Sequence, residues 1–146
     1  MRSTPLDEQL CFALYAASRA MTSCYRPMLD ALELTYPQYL VLLVLWERGE
    51  STVTGIGQAL QLETGTLSPL LKRLEAAGLI TRARRPGNER SVLVSLTESG
   101  RGLEARVAQA QVDVAGATGL SRAEVGELRE TLQLLSHRLR AAAGGR

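Results

Sequence analysis

The stretch from residue 53 to residue 96 constrains this chain most, because its hydrophobic period changes there from helical to two-residue. Residues 53–60 and about 64–77 read as short helices joined by the tight connection Gln61-Leu62-Glu63. In the second, Leu67, Leu70, Leu71 and Leu74 define an inward face, and Gly78 is the expected stop. Two short helices joined by a tight turn, the second amphipathic, describe a helix-turn-helix. Directly afterwards, 79–84 and 91–96 read as strands flanking the turn-forming cluster Arg85-Pro86-Gly87-Asn88-Glu89. A helix-turn-helix followed by such a hairpin is a winged helix.

Helices flank this unit on both sides. Leu10, Leu14, Ala17, Met21, Cys24 and Met28 recur at alternating steps of four and three. They form the seam of a helix that begins near Leu6 and bends or ends near Arg26, since Pro27 disfavours the α conformation before it. Tyr36-Pro37 opens another helix, with proline suited to its first turn, and this one runs to Trp46. Thr97-Glu98 opens a helix carrying Leu103, Val107, Ala110 and Val114. Ser121-Arg122-Ala123-Glu124 has the capping-box form for a last helix, in which Val125, Leu128, Leu132, Leu135 and Leu139 make a heptad-like seam. The expected fold is mainly α with a small β-hairpin wing. It comprises a winged-helix DNA-binding domain over 35–96 and a helical dimerisation region over 1–34 and 97–146. The first helix and the last two carry apolar stripes that need a partner, and a second copy of the chain supplies one in a two-fold homodimer.

Charge locates the working surface. The net charge is only +2, and residues 1–71 hold 4 basic and 7 acidic side chains. Residues 72–90, in contrast, hold Lys72, Arg73, Arg82, Arg84, Arg85 and Arg90 against Glu75 and Glu89. A basic patch on a near-neutral chain is a phosphate-binding footprint. Thr66, Ser68, Pro69, Lys72 and Arg73 should form the outward face of the second helix of the pair. Small groups there permit close approach to base edges, while hydroxyls and cations hold phosphate. Arg90 at the hairpin is suited to a minor groove, and Arg84 and Arg85 to phosphate. The expected partner is double-stranded DNA.

Other classes are poorly supported. His137 is the only histidine, which excludes a multi-histidine metal site, and no cofactor is expected. Gly55-Ile56-Gly57 resembles the start of a dinucleotide loop, but Leu60 takes the place of the third glycine and no strand precedes it. Met1-Arg2-Ser3-Thr4-Pro5-Leu6-Asp7-Glu8 lacks the apolar segment of a secretory signal, and the apolar run 39–46 is too short to span a bilayer. The expected location is cytoplasmic, where two cysteines are normally reduced. Cys24, on the apolar seam, reads as a buried structural thiol. Cys11 lies on a neighbouring stripe, Cys11–Tyr15–Ser18–Thr22–Tyr25, near a helix start whose macrodipole favours thiolate. Position alone leaves it open between a reactive and an inert thiol.

Four segments together resemble the OhrR organic hydroperoxide sensors, a branch of the MarR family. They are Leu10-Cys11-Phe12-Ala13-Leu14-Tyr15, Leu34-Thr35-Tyr36-Pro37-Gln38-Tyr39-Leu40, Gly65-Thr66-Leu67-Ser68-Pro69-Leu70-Leu71-Lys72-Arg73-Leu74-Glu75 and Val94-Ser95-Leu96-Thr97-Glu98. The resemblance implies a repressor, not an enzyme, that releases its operator when an organic hydroperoxide oxidises Cys11. It further implies that Tyr25 and Tyr36 donate hydrogen bonds to that thiol. Two-cysteine members carry a second cysteine in the carboxyl-terminal helices. None follows Cys24 here, which favours the one-cysteine route, with the sulfenic acid capped by a small thiol or over-oxidised. Asn88 stands where many MarR relatives have aspartate, so an aspartate brace for Arg90 is missing. The nearest alternative is a MarR-type repressor controlled by a small aromatic ligand. A thiol peroxidase would need a resolving partner that the sequence does not offer.

One constraint is purely geometric. Cys11 and Tyr25 share a helix face, yet at the α-helical rise they lie roughly 21 Å apart. They cannot meet within one subunit. Ser18 is midway between them, so antiparallel pairing of two first helices about Ser18 would bring Cys11 of one chain to Tyr25 of the other.

Overall fold

The computed structural model describes residues 1–144, apart from the side chains of Glu89 and Arg90. A 3-10 turn, Leu6–Glu8, precedes α1 (Leu10–Cys24), α2 (Arg26–Leu32), α3 (Tyr36–Arg48), β1 (Ser51–Thr52), α4 (Val53–Leu60) and α5 (Thr64–Ala76). Then come β2 (Ile80–Arg85), β3 (Asn88–Leu96), α6 (Glu98–Gly102), α7 (Glu104–Ala117) and α8 (Arg122–Gly144). The chain divides into two compact units, Met1–Gln111 and Val112–Arg146. This is the expected fold, mainly helical with a small antiparallel wing.

Local chemistry explains most of the element boundaries. The Thr35 hydroxyl accepts from the Gln38 backbone N–H while the Gln38 side chain accepts from the Thr35 N–H, a capping box that starts α3. α4 stops where Gln61 enters the left-handed region at φ 59° and the Leu62 N–H donates to the Gly57 carbonyl at 2.9 Å. That closure requires glycine at 57, because a Cβ there would sit 2.9 Å from the Leu62 oxygen. In the second unit the Glu124 N–H donates to Ser121 Oγ at 3.1 Å and the Ser121 N–H to Glu124 Oε1 at 2.9 Å, which is the expected capping box of α8.

Several boundaries differ from the sequence expectations. The first helix starts at Leu10 instead of Leu6 and breaks at Tyr25, after which the chain resumes helically as α2. Pro27, which disfavours continuation of a helix, sits comfortably in the first turn of a new one. β1 was not expected: two residues carry no periodicity, yet Ser51 pairs with Val94 and Thr52 with Leu93, giving a sheet of order β1-β3-β2. β3 begins at Asn88, so the turn narrows to Pro86-Gly87, with Gly87 at φ +79° and a register irregularity at Arg84/Arg85. The helix expected from Thr97 onward is divided at Leu103 into α6 and α7.

The core of the first unit is built from α3, α4, α5 and the base of the sheet, with Leu42, Leu45, Ile56, Leu67, Leu74 and Val94 almost fully buried. Val107 of α7 belongs to this core at 1% exposure, which corrects the expectation that the stripe on its helix waits wholly for a partner. α1 behaves oppositely. It buries none of its residues, and Leu10 is 62% exposed. Cys24, expected to be buried on that seam, is exposed in the single chain. On α8, Leu128, Leu132 and Leu139 are exposed as well. No single described helix is long and apolar enough to cross a membrane.

Candidate functional site

Two surfaces carry the chemistry singled out from the sequence. The first is the helix-turn-helix and its wing. Leu67, Leu71 and Leu74 anchor α5 in the core, which turns Thr66, Ser68, Pro69, Lys72 and Arg73 outward, and all five are exposed. Pro69 lies inside the helix and takes one N–H out of its ladder, which its solvent-facing position tolerates. Arg84 and Arg85 are exposed at the distal end of β2, beside the turn. Arg90 falls outside the described side chains. The basic segment is weaker than its charge count suggests, because Arg82 Nη2 lies 3.1 Å from Glu75 Oε1. That pairing holds the Glu75 carboxyl below its ordinary range, chiefly through the hydrogen bond from Arg82.

The second surface is a cluster of tyrosines. Tyr25 joins α1 to α2, Tyr36 opens α3, and Tyr39 lies three residues further along the same face. Their rings form a triangle, with centroid separations of 5.8 Å for Tyr25–Tyr36, 5.4 Å for Tyr25–Tyr39 and 5.6 Å for Tyr36–Tyr39, all tilted. Tyr25 and Tyr36 are half-buried, whereas Tyr39 is 2% exposed. Burial is the main reason that Tyr25 and Tyr36 are harder to ionise than a free phenol. For Tyr25 the closeness of Tyr39, and after it of Tyr36, pushes the same way. Both phenols therefore stay protonated at neutral pH and can donate.

Tyr39 was not singled out from the sequence. Its hydroxyl accepts from Gln111 Nε2 of α7 at 2.8 Å, a bond across 72 positions of chain. The i, i+3 spacing from Tyr36 signals a shared face, but the contact with Gln111 had no local signature.

Cys11 occupies the first turn of α1, exposed, with Sγ donating weakly to Gln9 Oε1 at 3.7 Å. α1 is unbroken between Cys11 and Tyr25, so the separation of roughly 21 Å set by the helical rise stands. The chain thus brings Tyr25 and Tyr36 together and keeps its own Cys11 away from them. Arg19 lies over the exposed Tyr15 ring, 5.4 Å from its centroid, on the stripe that leads away from Cys11. His137 is exposed, and no group of ligating side chains among the described residues could hold a metal ion.

Comparisons with known proteins place this architecture. A family model described as Transcriptional regulator SarA/Rot matches residues 23–107. The organic hydroperoxide resistance transcriptional regulator of Bacillus subtilis (strain 168) is 48% identical over 130 residues, which cover 89% of this chain and 88% of that protein. The HTH-type transcriptional regulator TtmR of Methylorubrum extorquens (strain PA1) is 50% identical over 139 residues, 95% of this chain and 71% of that one. Among solved structures, reduced AbfR bound to DNA, a protein of Staphylococcus epidermidis, superposes with a TM-score of 0.80 at 34% identity, covering 94% of each chain. With winged helix, wing and flanking helices in the same order, the chain belongs to the MarR family of transcriptional regulators, in its OhrR-type branch, and is not an enzyme.

Proposed function

We propose that the protein is a cytoplasmic repressor that binds operator DNA as a homodimer and lets go when an organic hydroperoxide oxidises Cys11. In this reading 35–96 engages DNA, while 1–34 and 97–146 hold the dimer together. Thr66, Ser68, Pro69, Lys72 and Arg73 face the major groove, Arg84 and Arg85 meet phosphate, and Arg90 enters the minor groove. The observation that carries the proposal is the meeting of Tyr25 and Tyr36 at 5.8 Å, at the far end of an exposed helix from Cys11. Antiparallel pairing of two α1 helices about Ser18 sets each Cys11 against the tyrosines of the other subunit. DNA-bound AbfR and the hydroperoxide-resistance relative support the same class of function.

The chemistry follows from a thiolate beside two phenols. The Cys11 thiolate attacks the terminal, hydrogen-bearing oxygen of the hydroperoxide. A sulfur–oxygen bond forms, the oxygen–oxygen bond breaks, sulfur is oxidised to a sulfenic acid, and the peroxide leaves as an alcohol once its alkoxide takes up a proton. A small thiol then caps the sulfenic acid as a mixed disulfide, releasing water. Either product replaces the hydrogen-bond acceptor with a bulkier group, displaces Tyr25 and Tyr36, and shifts the helices that space the two α5 elements. That spacing must match one turn of DNA, roughly 34 Å, so small rotations weaken binding.

Titrating the complex with its upstream DNA tests this directly. Cumene hydroperoxide should release the DNA and Cys11→Ser should abolish that response, while salicylate should leave the complex intact. Release of the Cys11→Ser variant by peroxide, or release of the parent by salicylate alone, rejects the redox reading.

A further inference from the structure

One cation of the basic segment is already engaged within the chain. Arg82 donates through Nη2 to Glu75 Oε1 at 3.1 Å and through Nε to Glu75 Oε2 at 3.4 Å, meeting both carboxylate oxygens. With side chains 30% and 41% exposed, such a pair adds little to stability. The joint between α5 and β2 that it spans is also held by other means. The Leu79 N–H donates to the Leu74 carbonyl at 3.0 Å, the Thr97 N–H to the Leu79 carbonyl at 3.0 Å, and Thr97 Oγ1 to the Gly78 carbonyl at 2.6 Å. Ile80, which opens β2, is itself buried. The position of Arg82 gives the pair a different effect. The ladder is regular from Ile80 to Arg84, so Arg82 and Arg84 share one face of β2, roughly 7 Å apart. The proposed function sets Arg84 against phosphate, which puts its strand neighbour beside the same stretch of DNA backbone.

We propose that Glu75 holds Arg82 off the DNA backbone and so sets how strongly the protein grips any duplex. The inference rests on the reading of the wing as a DNA contact and deepens it. A guanidinium bonded twice to a carboxylate has its charge neutralised and part of its fork filled, so it displaces no counterion from DNA. Released, it adds one phosphate contact in each subunit. Phosphate contacts carry no sequence information, so operator and random duplexes gain alike and the ratio between them is unchanged.

The test is the affinity of the full-length, reduced protein for its upstream DNA and for a duplex of random sequence, measured from about 50 to about 200 mM salt. Glu75→Ala should tighten binding to both by about three- to tenfold at the low end, and steepen the slope of log affinity against log salt by about one per subunit. Glu75→Ala/Arg82→Gln should return the slope and both affinities to those of the parent. A merely structural tie would make Glu75→Ala bind more weakly, and that result overturns the proposal. A gain that persists in the double variant overturns it too, because loss of the acidic charge alone would then explain the effect. So does a double variant with a slope flatter than the parent's, since Arg82 would then touch phosphate in the parent already. Arg84→Ala separates the two levels of inference. If Arg84→Ala flattens the slope and Glu75→Ala leaves it unchanged, the restraint on Arg82 is wrong and the wing reading survives. If Arg84→Ala itself leaves the slope unchanged, the wing does not meet phosphate and the restraint falls with it.

Discussion

Single atoms decide much of this structure. Gly100, in α6, is pressed so closely against the residue just before β2 that an added Cβ would collide with the Leu79 carbonyl oxygen, and its own carbonyl accepts from Trp46 Nε1 at 3.0 Å. Gly100→Ala should therefore destabilise the fold by about 1–3 kcal/mol, a loss readable as a lower urea midpoint with an unchanged slope. Tyr25 and Tyr36 offer a test by pH. Their phenols ionise above the ordinary value of 10.0 in the folded chain, so the fold favours their protonated forms. That contribution is complete below the unfolded value and fades as pH rises through the folded one. Urea midpoints measured on either side of about pH 10 should fall for the parent protein, and fall less for Tyr25→Phe. An equal fall in both would show that Tyr25 ionises as freely in the fold as in the unfolded chain.

Elements were legible where chemistry is local and obscure where it is not. The helix-turn-helix could be read closely because the leucines of α5 repeat at helical spacing and the turn is closed by bonds within six residues, Gly57 to Leu62. β1 and the Tyr39–Gln111 bond could not, since both exist only through partners distant in the sequence, at Val94 and at α7. Cys24 misled for a related reason: a seam shows that a helix face is apolar without telling what covers it. Loss of the capping box in Thr35→Ala should destabilise the protein by about 1 kcal/mol, measurable by denaturant unfolding, because Gln38 is itself buried and loses its hydroxyl partner. At the wing, Arg84→Ala and Arg85→Ala should weaken binding to all duplexes alike. Each should flatten the slope of log affinity against log salt by about one. A change in sequence preference without a change in slope would move these side chains from phosphate to bases.

For the molecule as a whole, the unsatisfied surfaces are α1 and, within its own unit, α8. An apolar seam with Leu128, Leu132 and Leu139 in water is stable only when covered. Sedimentation should give about twice the 15.8 kDa chain mass, and Leu132→Glu should shift the population toward the single chain. Retention of the doubled mass by that variant would exclude the α8 seam from the contact. Tyr25 adds a consequence of a different kind. It is at once the joint between two helices and a member of the ring triangle, so in the proposed sensor detector and pivot would be the same residue. On that proposal no linker would stand between stimulus and motion for mutation to loosen, and a substitution there would alter the bend and the chemistry in one stroke.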